Sequence, residues 1–241
     1  PPGRQTLECS IMDLADDIAY SLHDVEDFHR SGILQFSPVS GEFRAWLGER
    51  RALAAMSTDE LDLMGRWPGA GLEQLRRRLI EKDEWMFDED RFGAAVDVIG
   101  EEFVDGVLAA PYDGSRMADR AISGFVSRWI DLFITSVELD LDPPVRSAYV
   151  TLAPEAWHQV SVLKFVHQYF ILDRPDLAMF QRGQARTIEA LVAGFDDWLS
   201  DRQDAHKAPR RLIDLVRIAT DGYERVAQTH PEWLDGATSA N

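Results

Sequence analysis

The spacing of apolar residues constrains the fold of this chain more than any other feature. Apolar residues recur at three- and four-residue steps through most of the sequence, first at Ile11, Leu14, Ile18, Leu22, Val25 and Phe28. This is the period of one buried helix face, whereas a half-buried strand shows strict alternation. The sequence therefore predicts an all-α helical bundle.

Capping and turn residues divide the pattern into helices. A loop rich in Ser, Pro and Gly is predicted over about 32–41, and Ser57 with Glu60 is typical of a capping box. Residues 138–152 differ, because β-branched and aromatic residues around Pro143-Pro144 predict one short β-hairpin. The first predicted helix ends near residue 31. The remaining predicted helices run over about 72–82, 89–108, 115–137, 154–171, 176–200 and 210–228.

The charge balance and the single cysteine exclude several classes of protein. The 241 residues include 25 basic and 42 acidic side chains, and the net charge of −17 disfavours binding to nucleic acid. Cys9 has no partner for an intrachain disulfide, and no clean apolar run reaches the roughly 20 residues that span a membrane. We therefore expect a soluble, cytoplasmic protein.

The organisation along the chain is simple. One mostly helical domain over 1–241 is predicted, and the loops near 32–41 and 201–209 are the only candidate boundaries. The chain opens with Pro1-Pro2-Gly3-Arg4 and no methionine, so we expect a fragment of a longer protein.

One face of the first helix is rich in carboxylates. At about 100° per residue, seven polar side chains fall within about 120° of one another, opposite the apolar stripe. We call this face the acidic wall; it consists of Asp13, Asp16, Asp17, Tyr20, His23, Asp24 and Asp27. Like charges one turn apart destabilise a helix, and a divalent cation would neutralise them. The alternative is an ordinary solvated helix face in an acidic protein.

The run Ala15–Asp27 resembles a family motif. Its sequence ADDIAYSLHDVED is similar to the A-D-D-I-A-Y-S-x-x-D-x-E-D motif of the deoxyguanosine triphosphate triphosphohydrolases, a branch of the HD-domain phosphohydrolase superfamily. Looser similarity covers about 160–226, where Ala219 stands in place of the family's methionine. The resemblance implies an HD-domain-type helical bundle, of which this chain is the C-terminal portion.

The resemblance also implies roles for three residues of the wall. Asp16 would be the last carboxylate ligand of an H…HD…D site for a divalent metal, with Mg, Mn, Fe and Zn not distinguished. Tyr20 would lie against the deoxyribose and phosphates of a dNTP substrate, and Asp24 would bind the sugar 3′-hydroxyl. Asp17 stands where one branch has a phosphate-binding lysine, so the phosphates need other cations. The candidates are Arg116, Arg120 and Lys164.

The remaining metal ligands are not apparent in the sequence. His23-Asp24 is an HD dipeptide, but it follows the ligand Asp16 in the motif, so we reject it as the metal-binding pair. The other histidines, His167 among them, have no partner at a matching spacing. One carboxylate does not hold a catalytic transition metal, which usually has three protein ligands. We expect the H…HD ligands in a missing N-terminal segment, and this chain alone to be inactive.

Three functions remain open. The first is the C-terminal portion of a metal-dependent, dGTP-like dNTP triphosphohydrolase, in which a metal-bound water attacks the α-phosphorus and releases deoxynucleoside and tripolyphosphate. As the family implies, it would be a homo-oligomer. The second is a non-catalytic helical partner or regulatory subunit that retains the wall as structure. The third is an acidic mimic of nucleic acid. The dense basic clusters, Arg76–Arg78 and Arg210-Arg211, are interpreted as solvated helix surface, with contact to nucleic acid or an allosteric phosphate as the alternative.

Overall fold

The structure, a computed structural model, describes residues 6–142, 149–201 and 203–231. These ranges are mostly helical, which confirms the all-α prediction. Two helices continue as π-helical segments: Gly100–Leu108 follows the fifth helix, and Gln168–Leu172 follows the seventh. The α-helices are α1 Leu7–Arg30, α2 Phe36–Ala55, α3 Thr58–Met64, α4 Ala70–Lys82, α5 Glu89–Ile99, α6 Arg116–Thr135, α7 Pro154–His167, α8 Pro175–Ser200 and α9 Arg210–Thr229.

The predicted β-hairpin is confirmed as a short antiparallel pair. Strand β1, Val137–Leu139, pairs with β2, Val150–Leu152, with Val137 opposite Leu152. The Pro143-Pro144 pair, on which the prediction partly rested, lies outside the described residues. The two strands follow α6 and precede α7, so they connect the two helices that flank α1.

Helix α2 begins earlier than predicted. The loop expected over about 32–41 ends at Gln35, because Phe36–Ala55 is helical, and the prediction was therefore wrong over 36–41. Pro38 is tolerated because it lies in the first turn, where an N–H has no intrahelical partner. Val39 and Phe43 are 0% and 2% exposed, and this burial outweighs the weak helix propensity of the neighbouring Ser and Gly.

The contacts divide the chain into two compact units, Pro1–Ala178 and Met179–Asn241. The division falls inside α8 and not at either loop that the sequence offered as a boundary. That the whole chain forms one domain stays a prediction. In the part of the chain that is described, no helix is both long enough and apolar enough to cross a membrane.

In the first unit, helices pack around one hydrophobic core. Helix α1 packs against α6 and α7, α5 packs against α7, and α2 packs against α4. Trp46 and Phe92 meet edge to face, with ring centroids 5.2 Å apart, and both are completely buried. Aromatic side chains bury the largest apolar areas, so these contacts contribute strongly to stability. The packing holds α1 by its apolar stripe and leaves the opposite face at the surface.

The second unit contains α9 and most of α8. Among its described residues only Ala208 is buried, and α9 presents Leu215, Val216 and Ile218 to the surface. One contact within the unit is the hydrogen bond that Trp198 Nε1 donates to the carbonyl of Asp204, at 3.0 Å. The apolar faces of this unit thus have few partners within it.

Two glutamates of the first unit are buried in polar networks. Glu42 accepts hydrogen bonds from the N–H groups of Gly69 and Leu72 at the start of α4, at 2.8 and 2.7 Å. Burial raises the pKa of Glu42, although these N–H donors oppose the effect. Glu73 accepts hydrogen bonds from Arg76 and Arg77. Two members of the basic cluster are therefore not solvated surface, as the sequence suggested, but partners of a buried acid.

We expect buried His158 to make stability fall in mild acid. Its Nε2 accepts a hydrogen bond from the N–H of Asp88 at 3.0 Å, so the ring is neutral with its proton on Nδ1, beside the Pro154 carbonyl. Burial lowers the pKa of His158, although the Pro154 carbonyl opposes this. The unfolded chain then binds more protons below the usual histidine pKa of about 6.5, so stability is present above that pH and is lost below it.

The measurement is the thermal midpoint between pH 7.5 and 5.5 for the wild type, His158→Gln and the exposed-site control His206→Gln. We expect His158→Gln to show a smaller drop on acidification than the other two proteins. Some drop remains in every variant, because burial also lowers the pKa of His29. An equal drop in all three proteins would contradict the assignment.

Candidate functional site

The acidic wall predicted from the sequence is present on α1. Helix α1 buries Ile18, Leu22 and Val25 against the core. On the opposite face Asp16 is exposed, and Tyr20 is 60% exposed. Of the remaining members, Asp13, His23 and Asp27 are exposed, and Asp17 and Asp24 are half-buried. The three site residues named from the family motif therefore lie on one accessible surface.

Two side chains of α7 contact one edge of the wall. Lys164 Nζ donates a hydrogen bond to Asp17 Oδ1 at 2.7 Å, and His167 Nε2 lies 3.1 Å from Asp24 Oδ2. Lys164 and His167 are three residues apart and so share one face of α7. The ring centroid of His167 also lies 6.2 Å from that of Phe28. The α7 edge of the wall is thus lined by a cation and an imidazole.

His167 contacts the wall, and the sequence analysis did not place it there. It was treated as an isolated histidine because its partner, Asp24, is far away in sequence. The available signal was its i,i+3 spacing from Lys164, which had been named as a phosphate-binding candidate. The other two candidates, Arg116 and Arg120, are exposed on α6, and no described contact joins them to the wall.

A cavity of about 330 Å³ adjoins the same edge, and we call it the Lys164 cavity. It lies between α1, α4 and α7 and contains two cationic side chains, Lys164 and Arg78, with Trp157 as an aromatic wall. Arg78 is the member of the Arg76–Arg78 cluster that does not bind Glu73. The cavity is further lined by Leu14, Asp17, Leu75, Leu79, Asp83, Leu152, Val160 and Ser161. The cavity thus combines two cations, the carboxylates of Asp17 and Asp83 and an aromatic surface beside the wall.

An apolar groove of about 600 Å³ lies on the other side of the wall. Helix α1 forms one side, α6 a second and the β1–β2 pair the third. At about 100° per residue, Asp16 points to the groove side of the wall and Asp17 to the α7 side. The wall therefore separates a polar cavity from an apolar groove. The groove is lined by Leu7, Ile11, Leu14, Ala15, Ile18, Ala19, His23, Ile130, Ile134, Val137, Leu139 and Val150.

A charged cluster fixes the far end of α1 against α6. Arg30 donates hydrogen bonds to Glu26 at 2.8 Å and to Asp119 at 2.5 Å. Tyr112 donates a hydrogen bond to the same Asp119 oxygen at 2.7 Å, and this bond raises the pKa of Tyr112. The cluster is largely at the surface, so its main effect is to orient α1.

The described residues do not complete a metal site. No group of three or more His, Cys, Asp or Glu side chains within residues 6–142, 149–201 and 203–231 is placed to hold a metal ion. Asp16 offers one exposed carboxylate, whereas a catalytic zinc has three protein ligands in its usual sites. The role of Asp16 as a metal ligand therefore stays a prediction about a site that needs ligands from elsewhere.

The fold and the wall define an all-α protein with a carboxylate-rich helix at its surface, and comparison with curated proteins adds a family relationship. The chain is 26% identical over 199 residues to a protein of Bifidobacterium longum named deoxyguanosinetriphosphate triphosphohydrolase-like, and the match covers 80% of the chain. Relatives with the same name from Shewanella pealeana and Aliivibrio fischeri are each 24% identical over 94% and 91% of the chain. No family model matches.

The matches cover much less of the relatives than of this chain. They span 36%, 44% and 43% of those three proteins, so the chain spans less than half the length of the curated relatives that it matches. The resemblance inferred from Ala15–Asp27 is confirmed, and it extends over most of the chain at low identity. The names of these relatives support a family-level relationship to dNTP hydrolases.

Proposed function

We propose that this chain is the C-terminal portion of a metal-dependent dNTP triphosphohydrolase that acts on a dGTP-like substrate. Hydrolysis at the α-phosphorus releases a deoxynucleoside and intact tripolyphosphate. The observation that supports this most directly is the position of the wall, whose motif residues face solvent between the polar Lys164 cavity and the apolar groove. A helix face that only contacts solvent does not require an adjacent cavity and groove.

The wall offers groups for the metal and the sugar, and neighbouring side chains of α7 and α4 offer groups for the phosphates. Asp16 contributes one carboxylate ligand to a divalent cation. The exposed ring of Tyr20 packs on the deoxyribose, and Asp24, held by His167, accepts a hydrogen bond from the 3′-hydroxyl. Lys164, with Arg78 behind it, neutralises phosphate charge, which a protein of net charge −17 needs locally.

The rest of the site comes from outside this chain. We place the H…HD ligands in the missing N-terminal segment of the same protein, and the low coverage of the relatives supports this. We further propose a cytoplasmic homo-oligomer. The exposed apolar side chains of the second unit, including Phe180, Leu191 and Ile218, support subunit contacts.

A second candidate is a non-catalytic partner that retains the wall as structure. The contacts of Asp17 with Lys164 and of Asp24 with His167 favour it, because they also serve to pack α1 on α7. Under this function the wall needs neither a metal nor a nucleotide.

The test is product analysis with the complete polypeptide, whose extent is first established by intact mass. Incubation with dGTP and Mn²⁺ or Mg²⁺ in H₂¹⁸O is expected to give deoxyguanosine and tripolyphosphate in equal amounts. The ¹⁸O label is expected in the tripolyphosphate, because water attacks phosphorus and the P–O5′ bond breaks. The 241-residue chain serves as the inactive control. Release of pyrophosphate or phosphate, or no turnover of any dNTP, would reject the proposal, and no turnover would favour the second candidate.

A further inference from the structure

The cation that the proposed function assigns to the substrate phosphates is already bound to a carboxylate. Lys164 Nζ donates a hydrogen bond to Asp17 Oδ1 at 2.7 Å, and the two side chains are 49% and 50% exposed. A carboxylate oxygen and a phosphate oxygen bind an ammonium group in the same way, through charge-assisted hydrogen bonds. Asp17 therefore occupies the position that a phosphate oxygen of the substrate needs.

We propose that Asp17 is an internal competitor for phosphate at Lys164, and that an oligophosphate chain binds in the Lys164 cavity by taking its place. This rests on the proposed function, in which Lys164 binds the phosphates of a dNTP. Asp17 thereby sets the affinity for the phosphate chain. It does so from the α7 side of α1, whereas Asp16 points to the groove side.

The charges of the cavity make this competition effective. Its lining carries two cations, Lys164 and Arg78, and two carboxylates, Asp17 and Asp83. These charges balance, so the cavity offers little net attraction to a polyanion, and the net charge of −17 adds repulsion. Two anions at one ammonium group also repel each other. Withdrawal of the Asp17 carboxylate leaves the cavity with an excess of positive charge.

Arg78 is the cation that is free to make the first contact. It is exposed on α4, and no ion pair of Arg78 is present among residues 6–142, 149–201 and 203–231. Arg78 and Lys164 line the same cavity of about 330 Å³, so a ligand with several phosphate groups has oxygens for both. The ligand class that fits this pair of cations is therefore an oligophosphate.

The ion pair between Asp17 and Lys164 is weak enough to be displaced. Each side chain is about half exposed, and such ion pairs contribute little because water solvates both charges. Its displacement therefore lowers the affinity for a ligand by about fivefold or less. The exchange leaves α1 in place, because Ile18, Leu22 and Val25 remain buried in the core.

Titration calorimetry of the complete polypeptide with sodium tripolyphosphate, without divalent cations and at physiological salt, tests the competition. Asp17→Asn removes the charge and keeps the size of the side chain, and it is expected to tighten binding about three- to tenfold. Asp27→Asn is the matched control, because it makes the same charge change at an exposed position on α1 outside the cavity. It is expected to change the affinity less than about twofold, since salt screens a distant charge.

A second background separates competition from a general effect of charge. Lys164→Met is expected to weaken tripolyphosphate binding at least about fivefold. In the Lys164→Met protein, Asp17→Asn should give no gain, because the two residues act through one contact. Deoxyguanosine, which carries no phosphate, should bind the wild type and the Asp17→Asn protein equally.

The sign of the Asp17→Asn effect decides the proposal. Weaker or unchanged tripolyphosphate binding would overturn it, because the carboxylate would then position Lys164 or only pack α1 on α7. An equal gain from Asp27→Asn or in the Lys164→Met background would also overturn it, as would no binding to any variant. The expected pattern without dNTP turnover would keep the competition and reject the hydrolase function. Turnover with an unchanged tripolyphosphate affinity in Asp17→Asn would do the reverse.

Discussion

Asp16→Ala in the complete protein is expected to lower kcat for dNTP hydrolysis by about 10³-fold or more and to abolish metal binding. A metal at a phosphoryl site contributes several kcal/mol to transition-state stabilisation, and each 1.36 kcal/mol is tenfold in rate. The fold should be unaffected, because Asp16 is exposed and opposite the buried face of α1. Bound metal, circular dichroism and kcat are measured on the same preparation.

The matched control for this variant is Asp131→Ala. Asp131 is also an exposed aspartate on a helix, but it lies on α6, outside the wall. It is expected to keep wild-type metal content and activity. Full activity of the Asp16→Ala protein would reject the assignment of Asp16. A loss of helicity in that variant would show a structural role instead, since the exposed position predicts none.

Glu73→Ala is expected to lower the free energy of unfolding by about 3–5 kcal/mol, more than the other substitutions tested for stability. Glu73 is 0% exposed on α4 and accepts hydrogen bonds from Arg76 at 2.8 Å and from Trp46 Nε1 at 3.4 Å. It also holds Arg77, which donates to the carbonyls of Leu53 and Met56 at the end of α2. Removing the carboxylate leaves two largely buried guanidinium groups without their common partner.

Urea unfolding of the 241-residue chain measures this loss. Glu81→Ala, an exposed substitution on the same helix, is the control and should change stability by no more than about 0.5 kcal/mol. Glu73→Gln keeps the volume and one acceptor and should fall between the two. Equal midpoints for Glu73→Ala and Glu81→Ala would contradict this account.

The Glu73 network also predicts a dependence on acid. Burial alone would raise the pKa of Glu73, but the hydrogen bonds from Arg76 and Arg77 outweigh it and lower the pKa below its usual range. This contribution is present above the carboxyl pKa of the unfolded chain and is lost as the pH falls through the lower pKa of the folded state. The contribution of Glu73 to stability is therefore lost at a lower pH than that of His158.

Local signals in the sequence located most helices and the wall. Ser57 and Glu60 form the predicted capping box of α3, and the Asp173–Asp176 break separates α7 from α8 as expected. These features depend on neighbours within one or two turns, so the sequence contains them directly. The start of α2 was misplaced because Ser, Pro and Gly favour a loop locally, whereas the core buries Val39 and Phe43.

The sequence by itself determined that the chain is helical and that Asp16, Tyr20 and Asp24 share one face of α1, because helix geometry relates residues at fixed angles. Only the tertiary structure decided what surrounds that face. Lys164 meets Asp17 across 147 positions of the chain, and no local pattern specifies such a pair. The Lys164 cavity and the apolar groove likewise arise where separate helices pack, since their walls come from elements that are distant in sequence.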